Sequence, residues 1–214
     1  MAILWITELI PLAVTALMPL VLFPIVGIAS IPELSSSYAN PLIFLFLGGF
    51  LIAKAIERWS LHRRIAFSIL ARTKGEPKRI LFSIMLATAF LSLWISNTAA
   101  AMVAAPIAAS LAVLYEDQED FAPALMLGVA YAATIGGLGS LIGTPPNAIF
   151  AAYMQEVHGV HIGFAEWMLV GLPAVAILLP LAWLSLTRIS FRLGSGHVNL
   201  DLEQFPPMSD GEKR

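Results

Sequence analysis

Two clusters of small polar residues interrupt long apolar stretches of this sequence. The first is the run Ser92-Leu93-Trp94-Ile95-Ser96-Asn97-Thr98, and the second extends from Gly136 to Asn147. Neither holds a charged side chain, so their chemistry is binding. A helix that stops at such a cluster offers free carbonyls, and one that departs offers free N–H groups. Carbonyls, hydroxyls and an Asn amide oxygen suit a hard cation such as Na⁺. Helix N-termini favour anions such as carboxylate or sulfate. At the first cluster the arriving helix is expected to end near Ile95, with Asn97 and Thr98 capping the next. At the second, Phe121 to Ile135 arrives, Thr144 is placed as N-cap and Pro145 takes the first helical position. Gly136, Gly137, Gly139 and Gly143 are expected to allow the unwound backbone between them.

The elements that position these residues belong in a bilayer. The chain has 214 residues, 58% hydrophobic and 12% charged, with a mean hydropathy of +0.83. A soluble domain carries about 25% charge, so an all-α polytopic membrane protein is expected. Net charge is −2, which gives no footprint for nucleic acid. There is no cysteine, hence no disulfide or thiolate site. Met1 to Trp5 lacks the basic segment of a leader, so none is expected to be cleaved.

The bases set the topology. All 12 Lys and Arg fall between Lys54 and Arg79 or between Arg188 and Arg214, and both segments are therefore expected in the cytoplasm. Leu9 to Ile28 is a first span, Ala29 to Asn40 an outside loop, and Pro41 to Ile56 the return, with Lys54 snorkelling. Trp59 to Arg72 alternates bases with apolar residues, which fits either a helix in the cytoplasmic interface or an ordinary connector.

Ile80 to Leu114 is 35 residues, which as one helix would measure roughly 50 Å against a core of about 30 Å. A single crossing would also leave Arg188 and Arg192 outside. Folded at Ser96-Asn97-Thr98 into a re-entrant hairpin, the segment keeps Glu116 to Asp120 cytoplasmic and the parity closes. Phe121 to Tyr153 then crosses as a broken helix, Gln155 to Glu166 lies outside, Trp167 anchors at the interface, and Met168 to Thr187 returns. Backbone breaks at membrane depth are tolerated only where they line a cavity or are buried in protein. Half-helices meeting at such sites are a secondary-transporter design. No Lys or Arg lies in these segments, so helix dipoles, hydroxyl and amide donors, and a co-bound cation would have to neutralise an anion.

These runs resemble the divalent anion/sodium symporter family, which carries dicarboxylates, tricarboxylates or sulfate. Trp5-Ile6-Thr7-Glu8, Asn40-Pro41-Leu42-Ile43 and Phe46-Leu47-Gly48-Gly49-Phe50 extend the resemblance over nearly the whole chain. It implies that Ser92, Ser96, Asn97 and Gly143 line a sodium site, and that Asn97, Thr98 and Thr144 contact a substrate carboxylate. It also implies a homodimer with elevator-like movement in the cytoplasmic (inner) membrane. The family has a second, inverted half with its own Ser-Asn-Thr hairpin, which this chain lacks; the chain is therefore expected to be one half of an inverted-repeat transporter, a fragment. On that plan residues 1–79 are scaffold-type helices plus the interfacial helix. Residues 80–114 are the hairpin, 115–193 the remaining transport-domain helices, and 194–214 a cytoplasmic linker.

Plainer readings compete. Ser96-Asn97-Thr98 could be a polar cluster gluing helices together, and Ser92 could bond back to its own helix. Gly139 and Gly143 form a GxxxG that could serve close packing. His158 and His161 are expected to be a solvated pair, not a metal site. An intramembrane hydrolase using Ser92 or Ser96 lacks a base, since every histidine lies in a loop and no Asp or Glu falls between Ile80 and Leu114. The expected function is sodium-coupled transport of a small dianion such as succinate, malate, citrate or sulfate. The alternatives are an exchanger of the same architecture, or a membrane assembly subunit that needs a second half.

Overall fold

In the computed structural model, residues 2–58, 76–113, 115 and 118–194 are described. Among them every regular element is helical: α1 Ala2–Thr7, α2 Leu12–Ile25, α3 Ile31–Tyr38, α4 Pro41–Arg58, α5 Pro77–Ser92, α6 Asn97–Val113, α7 Phe121–Gly137, α8 Pro145–His158 and α9 Phe164–Ser185, continued by a π-turn at Leu186–Ser190. The expected interfacial helix at 59–72 and most of the tail at 194–214 lie outside the described residues. The chain packs as two compact units, Met1–Phe46 and Leu47–Arg214.

In the first unit, helix α2 occupies 14 of the 20 residues expected to span, roughly 21 Å. Pro11 bounds it on one side, and Gly27, in the left-handed region at φ 72°, ends it on the other. The expected outside loop at 29–40 is instead largely helix α3. Its Ser30 N–H donates to the Glu33 carboxylate at 3.4 Å, half of a capping box. The Tyr38 hydroxyl donates to Ala16 O of α2 at 2.6 Å.

The second unit is built around α7. Gly128, Ala132 and Gly136 recur every four residues on its buried face, and this small stripe lets α5 approach closely. At Gly136 an added Cβ would meet the Ala89 backbone carbon at 2.8 Å, leaving no room for any side chain. Around the stripe, Ile80, Leu81, Ile84 and Met85 of α5 pack with Ala104, Ala108 and Leu111 of α6 and with Leu125 and Val129 of α7.

Side-chain contacts fix how these helices run. Near the start of α5 and the end of α9, Trp183 Nε1 donates to Lys78 O at 2.9 Å. Arg192 N–H donates to the Asp120 carboxylate at 2.9 Å, and Gly194 N–H to Gln118 Oε1 at 3.2 Å. The rings of Tyr115 and Phe121 stack 4.6 Å apart at the same end. At the opposite end, Trp167 Nε1 donates to Leu138 O at 2.9 Å. So α5 and α6 form a helix–turn–helix whose two feet stand together. Lys78, Arg79, Arg188 and Arg192 cluster at those feet, while both polar clusters sit at the far end.

With its π-turn, α9 is 27 residues long and is the one helix among the described residues long and apolar enough to cross a membrane. Helices α2, α6 and α7 are apolar but shorter. Leu169 and Val170 of α9 are 76% and 74% exposed, which an apolar surround would favour.

Candidate functional site

Helix α5 ends because its chain turns after Ser92. Leu93 N–H still bonds to Ala89 O at 3.2 Å and Ile95 N–H to Leu91 O at 3.1 Å. The regular helix ends at Ser92, and its last i→i−4 bond is donated by Ile95, near which the arriving helix is expected to end. The next helix starts at Asn97. Its cap is Ser96, whose hydroxyl accepts from Ala99 N–H at 3.3 Å, and not Asn97 or Thr98 as expected. Relieved of capping, the half-buried Asn97 side chain reaches back toward α5 and α7. Ser96 and Thr98 are exposed.

The second break begins at Leu138, later than expected, since Gly136 and Gly137 remain the last residues of α7. Glycine permits an unwound backbone without requiring one, and both stay helical in close packing, Gly136 on Ala89 and Gly137 on the Asn97 side chain. Thr144 takes the N-cap position with extended backbone and Pro145 the first helical position, as expected, although the threonine side chain makes no cap bond. Gly139 and Gly143 lie in the non-helical segment, so they form no helical GxxxG, yet both serve close packing: a Cβ at Gly139 would meet Val175 of α9 at 3.1 Å, and one at Gly143 the Ser92 carbonyl.

The two breaks meet. Ser92, fully buried, places its Oγ 2.6 Å from Ala133 O of α7 and 2.9 Å from Asn97 Oδ1. It does not bond back to its own helix, as Thr88 does to Ile84 O at 2.8 Å. A hydroxyl has one proton to donate. If Ser92 gives it to Ala133 O, the Asn97 oxygen faces Ser92 as an acceptor without a donor, unless its amide is turned. A carbonyl-type oxygen in that position is what a hard cation uses. Asn97 Oδ1 packs against Gly137, where a Cβ would collide with it. At Gly143 a Cβ would lie 2.5 Å from Gly137 O and 2.8 Å from Ser92 O.

Of the residues singled out from sequence, Ser92, Asn97 and Gly143 are thus brought together across both breaks. Ser96 belongs to the same turn but its hydroxyl accepts from the backbone. Thr98 and Thr144 stand at the starts of α6 and α8, the two helix N-termini of this end. His158 rests edge-on against Tyr153 with ring centroids 5.8 Å apart. No cluster of three His, Asp or Glu fit for a metal occurs among the described residues.

Three further residues build the site. The Ser140 hydroxyl donates to Leu93 O and accepts from Gly143 N–H at 3.0 Å. Asn147 donates from Nδ2 to Gly137 O at 2.9 Å and to Ser140 O at 2.8 Å. Trp167, expected only as an interfacial anchor, gives its N–H to Leu138 O. A small crevice between α5 and α6, lined by Ile84, Thr88, Leu91, Val103 and Ile107, is apolar. The Thr88 hydroxyl beside it is already bonded, so it offers nothing to a charged ligand.

Comparison with known proteins bears on this geometry. The citrate transporter family matches residues 2–197. The sodium-dependent dicarboxylate transporter SdcS of Staphylococcus saprophyticus is 46% identical over 200 residues, covering 88% of this chain and 38% of that protein. SdcS of Staphylococcus aureus strain USA300 is 44% identical over 198 residues, with the same coverage of each. The chain therefore spans 38% of the length of these relatives.

Proposed function

The chain belongs to the citrate transporter family, and from that membership we propose that it forms part of a Na⁺-coupled carrier of small dicarboxylates. The family makes it a membrane protein, and its named relatives are transporters and not enzymes. Na⁺ is held by Ser92, Asn97 and Gly143, with Ser96 at the rim. Succinate or malate is the substrate class, citrate or sulfate the variant, and a carboxylate is met by Asn97, Thr98 and Thr144. The convergence of Ser92, Asn97 and Gly143 from both breaks carries this reading.

Coupling follows from charge. No Lys or Arg lies between Arg79 and Arg188. A helix N-terminus stabilises an anion by about 0.3–1 kcal/mol, up to ~2 kcal/mol when partly buried. A monovalent cation about 4 Å away contributes about 4 kcal/mol at an effective dielectric near 20. The cation outweighs either helix end, so the anion binds weakly until Na⁺ is in place.

The same-end grouping of Lys78, Arg79, Arg188 and Arg192 supports a cytoplasmic location for the feet of α5 and α6, and hence a re-entrant hairpin. Gly171 packs on the Leu138 and Gly139 carbonyls and precedes Arg188 by 17 residues, roughly 26 Å of helix. In a core of about 30 Å the breaks then lie past the midplane, toward the outer face. The broken α7–α8 helix, the hairpin and α9 are assigned to a moving transport domain, and residues 1–79 to a scaffold. A second inverted half, a homodimer with elevator movement and the inner membrane complete the proposal.

The test is uptake of labelled succinate into proteoliposomes by the transporter expressed from its complete reading frame. Uptake is expected in a Na⁺ gradient and not in K⁺, with Asn97→Ala inserted but inactive. Normal Na⁺-driven uptake by Asn97→Ala would overturn the site assignment.

A further inference from the structure

Ser140 and Asn147 lie outside the ligand set just described, yet their bonds join the first break at Leu93 to Gly137, Ser140 and Gly143 of the second. Ser140 is fully buried and Asn147 is 4% exposed. The Ser140 hydroxyl reaches across to Leu93 O, in the first break, and takes the N–H of Gly143, in the second. Asn147 stands one turn into α8 and has two amide protons. Both are committed to main-chain oxygens, at 2.9 Å to Gly137 O and 2.8 Å to Ser140 O. Neither proton remains for a substrate. The bonds form one connected path from Leu93 through Ser140 to Asn147 and Gly137, with Gly143 as a branch. Gly137 is the residue against which Asn97 Oδ1 rests, and Gly143 faces the Ser92 carbonyl.

We propose that Ser140 and Asn147 are positioning residues that set the affinity of the cation site by clipping the two breaks together. The proposal rests on the reading of Ser92, Asn97 and Gly143 as the Na⁺ site. The seven residues from Leu138 to Thr144 have no helix to hold them, and a loop of that length free to relax would carry Gly143 away from Ser92. The clip removes that freedom in advance, so Na⁺ meets oxygens already converged. Buried donors at 2.8–2.9 Å from two carbonyls leave those oxygens directed at Asn147. The cation is left to the Asn97 amide oxygen, to the Ser92 hydroxyl and carbonyl, and to the Gly143 backbone.

The experiment measures the Na⁺ concentration for half-maximal succinate uptake by the complete transporter, with Vmax per inserted protein taken separately. Ser140→Ala and Asn147→Ala each lose two buried hydrogen bonds and should each raise that concentration by about tenfold or more, since one such bond is worth about 0.5–1.5 kcal/mol. Vmax at saturating Na⁺ should change far less. A merely structural role would lower inserted protein and Vmax and leave half-saturation unmoved. Ser92→Ala should raise it as well, and the double variant with Ser140→Ala should fall short of the product of the two effects, because both act on one site. If Ser92→Ala shifts Na⁺ dependence but Ser140→Ala and Asn147→Ala stay within twofold of the parent, or if the double variant is multiplicative, the clip is overturned while the site stands. If Ser92→Ala shifts nothing, the site reading fails first and the clip with it. Should Ser140→Ala not insert, Ser140→Cys keeps the volume with a weaker donor and should give a smaller shift in the same direction; an unshifted Ser140→Cys counts against the clip.

Discussion

Asn97 Oδ1 lies 2.9 Å from Ser92 Oγ, joining the last residue of one helix to the first of the next across a four-residue turn. Ser92 is also 2.6 Å from Ala133 O. Three oxygens therefore gather around one hydroxyl proton, in a part of the chain with no charged side chain. That shortage of donors is the feature on which the proposed Na⁺ site rests.

Gly137→Ala tests the packing behind it. Its Cβ would collide with Asn97 Oδ1, and the amide must swing away from Ser92. Overpacking of this kind costs about 1–3 kcal/mol, so Na⁺ half-saturation should rise by roughly 5- to 150-fold. A Na⁺ titration of uptake by inserted protein checks it.

Gly136→Val separates structure from site. Here the obstacle is the Ala89 backbone, which cannot rotate aside as a side chain can. Helices α5 and α7 should be forced apart, with a loss of about 1–3 kcal/mol or more. Thermal unfolding in detergent should show a lower midpoint with and without Na⁺ alike.

Trp167→Phe keeps the ring against Phe150, whose centroid is 6.1 Å away, and deletes only the donor to Leu138 O. A modest stability loss of about 1 kcal/mol is expected. An aromatic that served only as an interfacial anchor would tolerate the change without loss, so the unfolding midpoint distinguishes the two roles.

The connection between α6 and α7 can be tied to the segment that follows α9. Gly194 N–H and Gln118 Oε1 are 3.2 Å apart, and the chain has no cysteine of its own. The pair Gln118→Cys and Gly194→Cys should cross-link, and each alone should react with impermeant reagent only from the cytoplasmic side. Labelling of one from outside would break the re-entrant topology.

Much of this was legible because clustered small polar residues in an apolar segment demand partners, whereas single prolines marked no break: Pro106, Pro173 and Pro180 lie inside helices. Ser96-Asn97-Thr98 and Thr144-Pro145 fell where helices begin. The exact ends were not legible: Gly136 and Gly137 look like breakers, yet both are helical, packed on Ala89 and on Asn97 respectively. Helix α3 was missed although Ser30 and Glu33 stand at capping-box spacing, because serines and an acid between two apolar runs also read as a loop. Ser96 as N-cap could have been read from its place before an alanine-rich run. Ser140 and Asn147 carried a signal too, since buried polar residues in a membrane segment demand partners. Their partners are carbonyls 47 and 10 residues away, and that pairing exists only in the fold.

The most direct measurement of the central claim uses a single cysteine at the proposed cation–anion site, Thr98→Cys, in the complete transporter. Its labelling rate by a small impermeant thiol reagent is compared in K⁺, in Na⁺, and in Na⁺ with succinate. The account predicts accessible cysteine in K⁺ and clear protection only when Na⁺ and succinate are present together. Equal labelling in all three conditions, or protection by succinate in K⁺, would contradict it.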